Sequence, residues 1–315
     1  MRYSRHPSLI AALTLALVAA SQTEAATSPR DSLVVSASWL AEHLLDPDLV
    51  LLHVGDRKEY ATSHIPGARF VGLDDIATSD HSGLMLEMLP PETLHDRLAI
   101  LGISDTSRII VYFGKDWVSP ATRVIFTLDY AGLGARTSLL DGGQGAWVRS
   151  GHPVTASLSE VKPGTLSSLK VRPLVVTKEF VRDHLGKPGH AVVDGRNAGF
   201  YDGVQTGGGN QHPHRTGHIA GAGSLPFTET TDDALLLASP DDLKTKFVKA
   251  GVRPGDTVIG YCHLGQQATA VLFAARTLGY KVLLYDGSFE DWTRFPDFPV
   301  ENPAAASKAP APKEN

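Results

Sequence analysis

Three features are scarce in this sequence: cysteine, positive charge and long apolar runs. The 315 residues include one cysteine, which excludes a disulfide bond within the chain. Lysine and arginine number 29 against 34 aspartate and glutamate residues, a net charge of −5 at pH 7. This mildly acidic balance argues against nucleic acid and anionic membrane surfaces as partners. Beyond residue 20, no apolar run is long enough for a membrane span.

The first 25 residues have the pattern of a secretory signal peptide. Arg2 and Arg5 form a basic start, and Leu9–Ala20 is an apolar run too short for a membrane anchor. Thr23-Glu24-Ala25 then offers small residues where a signal peptidase cuts. We expect cleavage after Ala25 and a periplasmic or secreted protein. Removing two arginines and one glutamate with this segment makes the net charge −6.

The rest of the chain is one domain present twice. Residues 91–112 align with residues 240–261 without a gap, at an offset of 149. We therefore predict domains at residues 30–153 and 173–302, a linker at 154–172 and a disordered tail at 303–315. The other matched segments are Leu33–Leu40 with Leu174–Val181, Val54–Arg57 with Val193–Arg196, His64–Ala68 with His218–Ala222, and Asp141–Trp147 with Asp286–Trp292.

Short β-branched runs alternate with amphipathic stretches in each half. This alternation predicts an α/β fold in which each domain is a mostly parallel sheet with helices on both faces. The predicted helices include Glu92–Leu101 and Asp241–Ala250. The predicted strands are Leu49–Val54, Ile109–Tyr112, Ser138–Leu140, Ala191–Val193, Val258–Tyr261 and Val282–Tyr285.

The single cysteine, Cys262, lies where a predicted strand ends and a predicted helix begins. Unpaired backbone N–H groups and the positive end of the helix dipole stabilise a thiolate at such a point. A lone cysteine is more often a small buried apolar residue. The following loop, however, contains Gly265, Gln266 and Gln267, which suit a backbone curled around an anion better than a core. We therefore predict that Cys262 is a nucleophile.

The tandem arrangement of the chain and four sequence motifs resemble the rhodanese family of sulfurtransferases. The resemblance implies two tandem rhodanese-like domains, of which only the second is active. Phe113 stands at the position that matches Cys262, as expected for a catalytically silent first domain. In the second half the motifs are Asp194-x-Arg196, His218-Ile219-x-Gly221-Ala222, Cys262-x-x-Gly265-x-x-Ala268 and Asp286-Gly287-Ser288 leading to Trp292.

The resemblance further implies a two-step transfer of sulfur. The Cys262 thiolate takes the outer sulfur of a small anionic donor, thiosulfate or 3-mercaptopyruvate, and passes it from a persulfide to cyanide or a thiol. No cofactor or metal ion is implied. The implied substrate-binding residues are His263, Leu264, Gly265, Gln266, Gln267 and Ala268 of the loop, with Arg196 and Asp194 at a neighbouring strand end.

The loop departs from the family pattern in charge. Family members often carry Arg or Lys just after the cysteine, where this chain has His263, Leu264 and Gln267, and Phe200 matches another substrate-binding Arg. We expect a protonated His263 to supply a positive charge. We also expect the amides of Gln266 and Gln267 to donate hydrogen bonds to the anion.

Several other residues are predicted to be structural. Asp194 and Arg196 recur approximately as Asp56 and Arg57, which favours an ion pair at a strand end, with the alternative that the pair shapes the field of the site. The insertion Gly207–Arg215 holds two neighbouring histidines. They make an incomplete metal site, so we predict a loop that borders the pocket. His64 with His218 and Trp147 with Trp292 are read as repeated core residues.

Three other functions are alternatives to catalytic transfer to small acceptors. A persulfide carrier for a protein partner would use the same cysteine. A phosphatase with this loop architecture needs an Arg six positions after its cysteine, where this chain has Ala268. A binding protein without chemistry would have no reason to keep Cys262, His263 and Gly265 in one half alone.

The leader yields the first prediction. The mature chain is expected to begin at Ala26 and to be found outside the cytoplasm, because the basic start, apolar run and small residues form a complete export signal. N-terminal sequencing of protein from fractionated cells measures this. Soluble cytoplasmic protein that retains Met1 would contradict it.

Overall fold

The computed structural model describes residues 28–78, 83–115, 118–207 and 214–306. The predicted leader, residues 208–213 of the Gly207–Arg215 insertion and residues 307–315 of the predicted tail lie outside these ranges.

The first domain is built on a parallel five-stranded sheet. Its strands follow the spatial order β1-β5-β4-β2-β3. They are β1 (Val34–Val35), β2 (Leu49–Val54), β3 (Arg69–Val71), β4 (Arg108–Phe113) and β5 (Thr137–Leu140). The central β2 and β4 pair in parallel from Leu49 with Arg108 to Val54 with Phe113. Their apolar side chains are almost all buried, as expected for a sheet covered on both faces.

The second domain repeats this sheet strand for strand. The order is β6-β11-β10-β7-β9, and every pairing within it is parallel. The strands are β6 (Val175–Val176), β7 (His190–Asp194), β9 (Gly223–Ser224), β10 (Thr257–Tyr261) and β11 (Lys281–Tyr285). A separate antiparallel pair joins β8 (His218–Ile219) to β12 (Val300–Glu301). Two mostly parallel sheets of equal topology confirm the predicted α/β fold and the internal repeat.

Helices cover both faces of each sheet. In the first domain they are α1 (Pro29–Leu33), α2 (Ala37–His43), α3 (Arg57–Thr62), α4 (Pro91–Ile100), α5 (Ser119–Tyr130) and α6 (Gly143–Arg149). In the second they are α7 (Lys178–His184), α8 (Ala198–Tyr201), α9 (Pro240–Lys249), α10 (Ala268–Thr277), α11 (Ser288–Trp292) and α12 (Pro303–Ala306). Thus the first four residues of the predicted tail form a helical turn.

The two domains share one apolar core. A single cluster of buried side chains runs from the first domain into the second and includes Val124 of α5 and Val271 of α10. Both helices are buried on nearly every face, which is typical of helices enclosed between two layers. The opposite face of each sheet has its own smaller cluster, centred on Trp147 in the first domain and Trp292 in the second.

The α5 and α10 helices meet at equivalent positions of the repeat. Gln266 Nε2 donates to Ser119 Oγ at 3.2 Å, and the hydroxyls of Thr122 and Thr269 lie 3.0 Å apart. Further along, Arg276 pairs with Asp129 at 3.2 Å. These positions, with Phe126 and Phe273 between them, follow the alternating spacing of three and four residues seen where two parallel helices pack along their length. The domains are therefore related by an approximate two-fold axis along this helix pair.

The predicted linker runs in irregular conformation over the first domain. His64 and Thr155 form an isolated antiparallel bridge, and the Gly164 N–H donates to the Ala99 carbonyl at 2.8 Å. Ser167 is bonded to Asp105 through its backbone N–H, at 3.0 Å. These contacts fix the linker to the domain it leaves.

Asp129 is expected to stabilise the domain interface. Its side chain is 2% exposed and pairs with Arg276 and Arg172, whose side chains are 16% and 50% exposed. Asp129→Asn should lower the free energy of unfolding by about 2 kcal/mol, because two arginines lose a buried counter-charge. Urea denaturation measures this. As a control, Lys244→Gln removes an exposed pair with Asp241 and should cost less than about 0.5 kcal/mol; equal losses would contradict the prediction.

Candidate active site

Cys262 lies between β10 and α10, at the carboxyl edge of the second sheet. It is the residue after the end of β10, and its side chain is 1% exposed. The loop from Cys262 to Gln267 then leads into α10. Sites of open parallel sheets form at this edge, so the structure places the cysteine where the sequence predicts a nucleophile.

The loop surrounds the sulfur with backbone donors. The backbone N–H groups of Leu264, Gln267 and Ala268 lie close enough to the Cys262 sulfur to lower the pKa of its thiol. Burial acts more strongly in the opposite direction, and Asp194 adds to it, so the pKa of the Cys262 thiol is raised overall. The expected net stabilisation of a thiolate is therefore wrong for the resting site, because desolvation outweighs the N–H groups.

Ser288 holds the cysteine backbone and was missed by the sequence argument. Its hydroxyl accepts the Cys262 N–H at 3.1 Å and donates to the Tyr285 carbonyl at 2.9 Å. Ser288 adopts a φ of +51°, a left-handed conformation that is strained for a residue other than glycine. The repeat offered a signal, since Gly143 stands at the matching position of the silent half with a φ of +53°.

Asp194 and Arg196 form a buried ion pair beside the loop. Arg196 donates to Asp194 from Nη2 at 2.6 Å and to the Gly217 carbonyl at 2.8 Å, and its guanidinium lies 4.0 Å from the centroid of the Phe289 ring. Tyr261 donates its hydroxyl proton to Asp194 at 2.7 Å. With so many protein partners, the pair is structural as predicted, and its charges also act on the pKa of Cys262 and His263.

Asp56 and Arg57 do not form the ion pair that their approximate recurrence predicted. Asp56 lies at the surface and caps α3 by accepting the N–H groups of Lys58 and Glu59 at 2.8 and 2.9 Å. Arg57 lies over the Phe70 ring instead of pairing with Asp56. The acidic residue stands one position later in the first half, which turns a buried partner into an exposed cap. The buried ion pair is thus a feature of the active half.

His263 lines the site with a neutral side chain. Its ring meets Phe200 edge to face at 4.6 Å and stacks on His214 at 5.8 Å. Burial, Arg196 and His214 lower the pKa of His263 to about 4, in that order of effect. The expected imidazolium is therefore wrong near neutral pH, because the surroundings disfavour a second positive charge next to Arg196.

The described ends of the Gly207–Arg215 insertion lie next to His263. His214 is 7% exposed, neither ring nitrogen has a partner in the described structure, and burial lowers its pKa to about 4. A Cβ on Gly207 would lie 2.7 Å from His263 Nδ1 and 3.1 Å from His214 Nδ1, so both rings close over this glycine. The position of His214 agrees with a loop beside the pocket.

The two amides of the loop differ in their surroundings. Gln266 directs its Nε2 to Ser119 of the first domain, so this donor serves the domain interface instead of an anion. Gln267 has a buried Oε1 without a partner in the described structure. Gly265 has a φ of +77°, and a Cβ there would lie 2.5 Å from Asp286 Oδ1. The loop therefore requires glycine at this position.

The matching site of the first domain is filled. Phe113 is 1% exposed and belongs to the shared core, and its ring lies against Gly143. Loop residues 116 and 117 lie outside the described ranges. A buried phenyl ring at the nucleophile position has no reactive atom, which agrees with a silent first domain.

The repeated histidines and tryptophans are structural, as predicted. His64 and His218 each bond through Nδ1 to a tyrosine carbonyl, at 2.6 and 2.8 Å. Trp147 and Trp292 each donate from Nε1 to a proline carbonyl, at 2.7 and 3.0 Å. Across the described ranges, no three His, Cys, Asp or Glu side chains are grouped to hold a metal ion. Over the same residues, none of the helices has the length and apolar character to span a membrane.

Fold and site together define a tandem α/β protein with one buried cysteine in a loop of backbone donors. Residues 36–150 and 177–295 match the family model of the rhodanese-like domain. The chain belongs to the rhodanese family, with two rhodanese-like domains. The resemblance stated from the motifs is confirmed.

Two curated relatives match most of the chain. The thiosulfate sulfurtransferase of Rattus norvegicus is 31% identical over 286 residues, which cover 83% of this chain and 92% of the relative. The 3-mercaptopyruvate sulfurtransferase of Escherichia coli (strain K12) is 32% identical over 282 residues, which cover 85% and 97%.

Solved structures agree with the fold. The crystal structure of the Escherichia coli 3-mercaptopyruvate sulfotransferase SseA matches with a TM-score of 0.71 at 28% identity, covering 82% of this chain and 98% of that one. The anaerobic ergothioneine biosynthesis enzyme from Chlorobium limicola matches with a TM-score of 0.74 at 20% identity, covering 87% and 71%. The second likeness concerns the fold alone.

The pH dependence of Cys262 tests the electrostatics of the site. Because His263 titrates at about 4 and the thiol pKa is raised, alkylation by iodoacetamide should rise about tenfold per pH unit from pH 5.5 to 8, without a step near 6.5. His263→Ala should leave the shape of this profile unchanged. Mass spectrometry of the Cys262 peptide measures the rate. A step near pH 6.5 that disappears in His263→Ala would restore the imidazolium.

Proposed function

We propose that the protein is a thiosulfate sulfurtransferase that carries sulfur as a persulfide on Cys262. The observation that carries the proposal is the ring of N–H donors from Leu264, Gln267 and Ala268 around the only cysteine of the chain. The membership of the rhodanese family and the relatives named for this activity support it.

In the first step the sulfur of Cys262 attacks the outer sulfur of thiosulfate. The new S–S bond takes the electron pair of the thiolate, the bond between the two donor sulfurs breaks, and sulfite leaves with its electron pair. The outer persulfide sulfur carries the remaining negative charge. The N–H groups of the loop stabilise this charge, since they are fixed in place before the reaction and need no reorganisation.

In the second step cyanide or a thiolate attacks the outer sulfur of the persulfide. The S–S bond breaks, its electron pair returns to Cys262, and thiocyanate or a new persulfide leaves. The loop donors then face a thiolate again, and the cycle closes without a cofactor. Cyanide is a small acceptor that a nearly closed site admits; a protein acceptor requires a docking surface around the mouth of the loop.

A second donor, 3-mercaptopyruvate, is favoured by the lack of charge at the loop. His263 is neutral near pH 7, Leu264 is apolar, and Phe200 presents an aromatic edge where charged residues are frequent in the family. A carboxylate and a carbonyl need fewer fixed positive charges than the dianion thiosulfate. The Escherichia coli relative of that name supports this candidate.

Export is part of the proposal. The signal-like pattern of residues 1–25 supports a periplasmic or secreted protein, and an exported chain with one cysteine keeps its thiol out of any internal disulfide. Such a protein acts on sulfur compounds outside the cytoplasm.

Mass spectrometry of the purified protein tests the class and ranks the donors. Incubation with thiosulfate or with 3-mercaptopyruvate should add one sulfur atom to the Cys262 peptide, and cyanide should remove it as thiocyanate. Cys262→Ser should retain the fold and lose at least a thousandfold in turnover, because serine cannot hold a persulfide. No added sulfur with either donor would exclude the proposal.

The silent domain supplies the control. In a Cys262→Ser background, Phe113→Cys places a thiol at the matching position, where Phe113 belongs to the shared core and the following loop is two residues longer than that of the active half. This variant is expected to show no turnover. Sulfur loading followed by thiocyanate release from it would mean that the loop of the active half is dispensable.

A further inference from the structure

Arg123 of the first domain reaches across the domain interface to the loop of the second. It lies in the second turn of α5, and its side chain is fully buried. Its Nη1 donates to Asp286 Oδ1 at 2.5 Å and to the Gly265 carbonyl at 3.3 Å, and its Nη2 donates to Asp286 Oδ2 at 3.3 Å. A further bond from Nη2 reaches the Leu86 carbonyl. One guanidinium thus joins three backbone segments.

Two of these segments control the position of Cys262. The Gly265 carbonyl lies between the donors of the loop, with the N–H of Leu264 before it and that of Gln267 after it. Asp286 begins the turn that carries Ser288, whose hydroxyl holds the Cys262 N–H. Arg123 therefore supports the sulfur's donors from one side and its backbone anchor from the other.

The packing around Gly265 shows how closely the loop is seated. A Cβ at this residue would lie 2.5 Å from Asp286 Oδ1, 2.8 Å from the Asp286 carbonyl and 3.1 Å from Arg123 Nη1. The loop backbone rests directly on the ion pair, without room for a side chain. A displacement of the guanidinium is therefore passed to the loop and not absorbed by a gap.

Arg123 has no equivalent arginine in the second domain. Its equivalent in α10 is Ala270, so the loop of the first domain receives no arginine from the second. In the first domain Arg30 lies at a related position, 3.8 Å from Asp141, which is the counterpart of Asp286. It donates to the carbonyls of Ala238 and Leu237 at 2.7 and 2.8 Å. Arg30 also crosses the interface, but among the described residues it has no bond to a loop with a nucleophile.

We propose that Arg123 is a positioning residue of the active site, through which the silent domain sets the geometry of the Cys262 loop. The proposal rests on the proposed sulfur transfer for its kinetic consequence, but the effect on the thiol is independent of turnover. Arg123 touches neither donor nor acceptor; it holds the donors of the loop and the Ser288 turn in register with the sulfur.

Arg123→Lys is the variant that separates charge from geometry. Lysine keeps a positive charge opposite Asp286, but a single ammonium group cannot replace the planar fork that also bonds the carbonyls of Gly265 and Leu86. Arg30→Lys is the matched control, since it makes the same change at another arginine that crosses the interface. Three quantities are measured for each: the melting temperature, kcat and KM with thiosulfate and cyanide, and the pH dependence of Cys262 alkylation.

In Arg123→Lys we expect kcat to fall about tenfold with KM within twofold, because misplaced donors stabilise the developing persulfide less well while the mouth of the site is unchanged. The alkylation profile should move to higher pH. Arg30→Lys should match the wild type in kcat and in the profile. Equal behaviour of the two variants, or a wild-type kcat and profile in Arg123→Lys, would overturn the proposal.

A second variant keeps the test decisive. If Arg123→Lys does not fold, Asp286→Asn retains the arginine, weakens the same contact and is expected to move the same two readouts in the same direction. If the wild type transfers no sulfur from either donor, the proposed function fails, yet the alkylation profiles of Arg123→Lys and Arg30→Lys still decide whether Arg123 positions the loop.

Discussion

The packing of α5 against α10 is the contact on which the rest of the structure depends. Both helices are buried on nearly all faces, and α10 begins directly after the Cys262 loop. The direction of α10 therefore sets where the N–H groups of Gln267 and Ala268 point. Equivalent residues meet along this pair, such as Thr122 with Thr269. The same helix surface therefore serves both domains, and the two copies of a duplicated domain can pack on each other with one self-complementary surface.

In the first domain, other residues occupy the positions of the cysteine and of its backbone partner. Phe113 and Gly143 stand where the active half has Cys262 and Ser288, and the phenyl ring fills the space against the glycine. The first domain therefore has a buried apolar side chain at the position where the second domain has its cysteine. What it keeps is the surface that faces the active loop, and Arg123 is the polar part of that surface.

The sequence predicted the fold well because the repeat tests each assignment twice. Six strands and two helices were placed within one residue of their observed bounds, and Phe113 marks the half that lacks the cysteine. The roles of His64 and Trp147 also followed from their repetition, since a residue needed in both halves is needed by the fold. The class of chemistry followed from the tandem arrangement and four motifs in order and is confirmed by the family match.

The electrostatics of the site could not be read from the motifs. The pKa of His263 depends on its burial and on Arg196 and His214, which are distant in sequence. Asp194 and Asp56 differ by one position in the repeat, and that shift separates a buried partner of Arg196 from an exposed helix cap. Arg123 was not predicted because its partners in the active half, Gly265 and Asp286, lie more than a hundred residues away and no local pattern marks them.

A buried thiol with a raised pKa is compatible with sulfur transfer because the two effects of the pKa on the rate partly offset each other. Each unit of increase lowers the thiolate fraction about tenfold, while a Brønsted slope of about 0.45 makes the thiolate about threefold more nucleophilic, so the net loss is about threefold per unit. Burial in return excludes water from the persulfide and strengthens the hydrogen bonds from Leu264, Gln267 and Ala268. Because these donors are fixed before the reaction and act on the charge that develops on the persulfide, the geometry of the loop matters more to the rate than the resting pKa of Cys262.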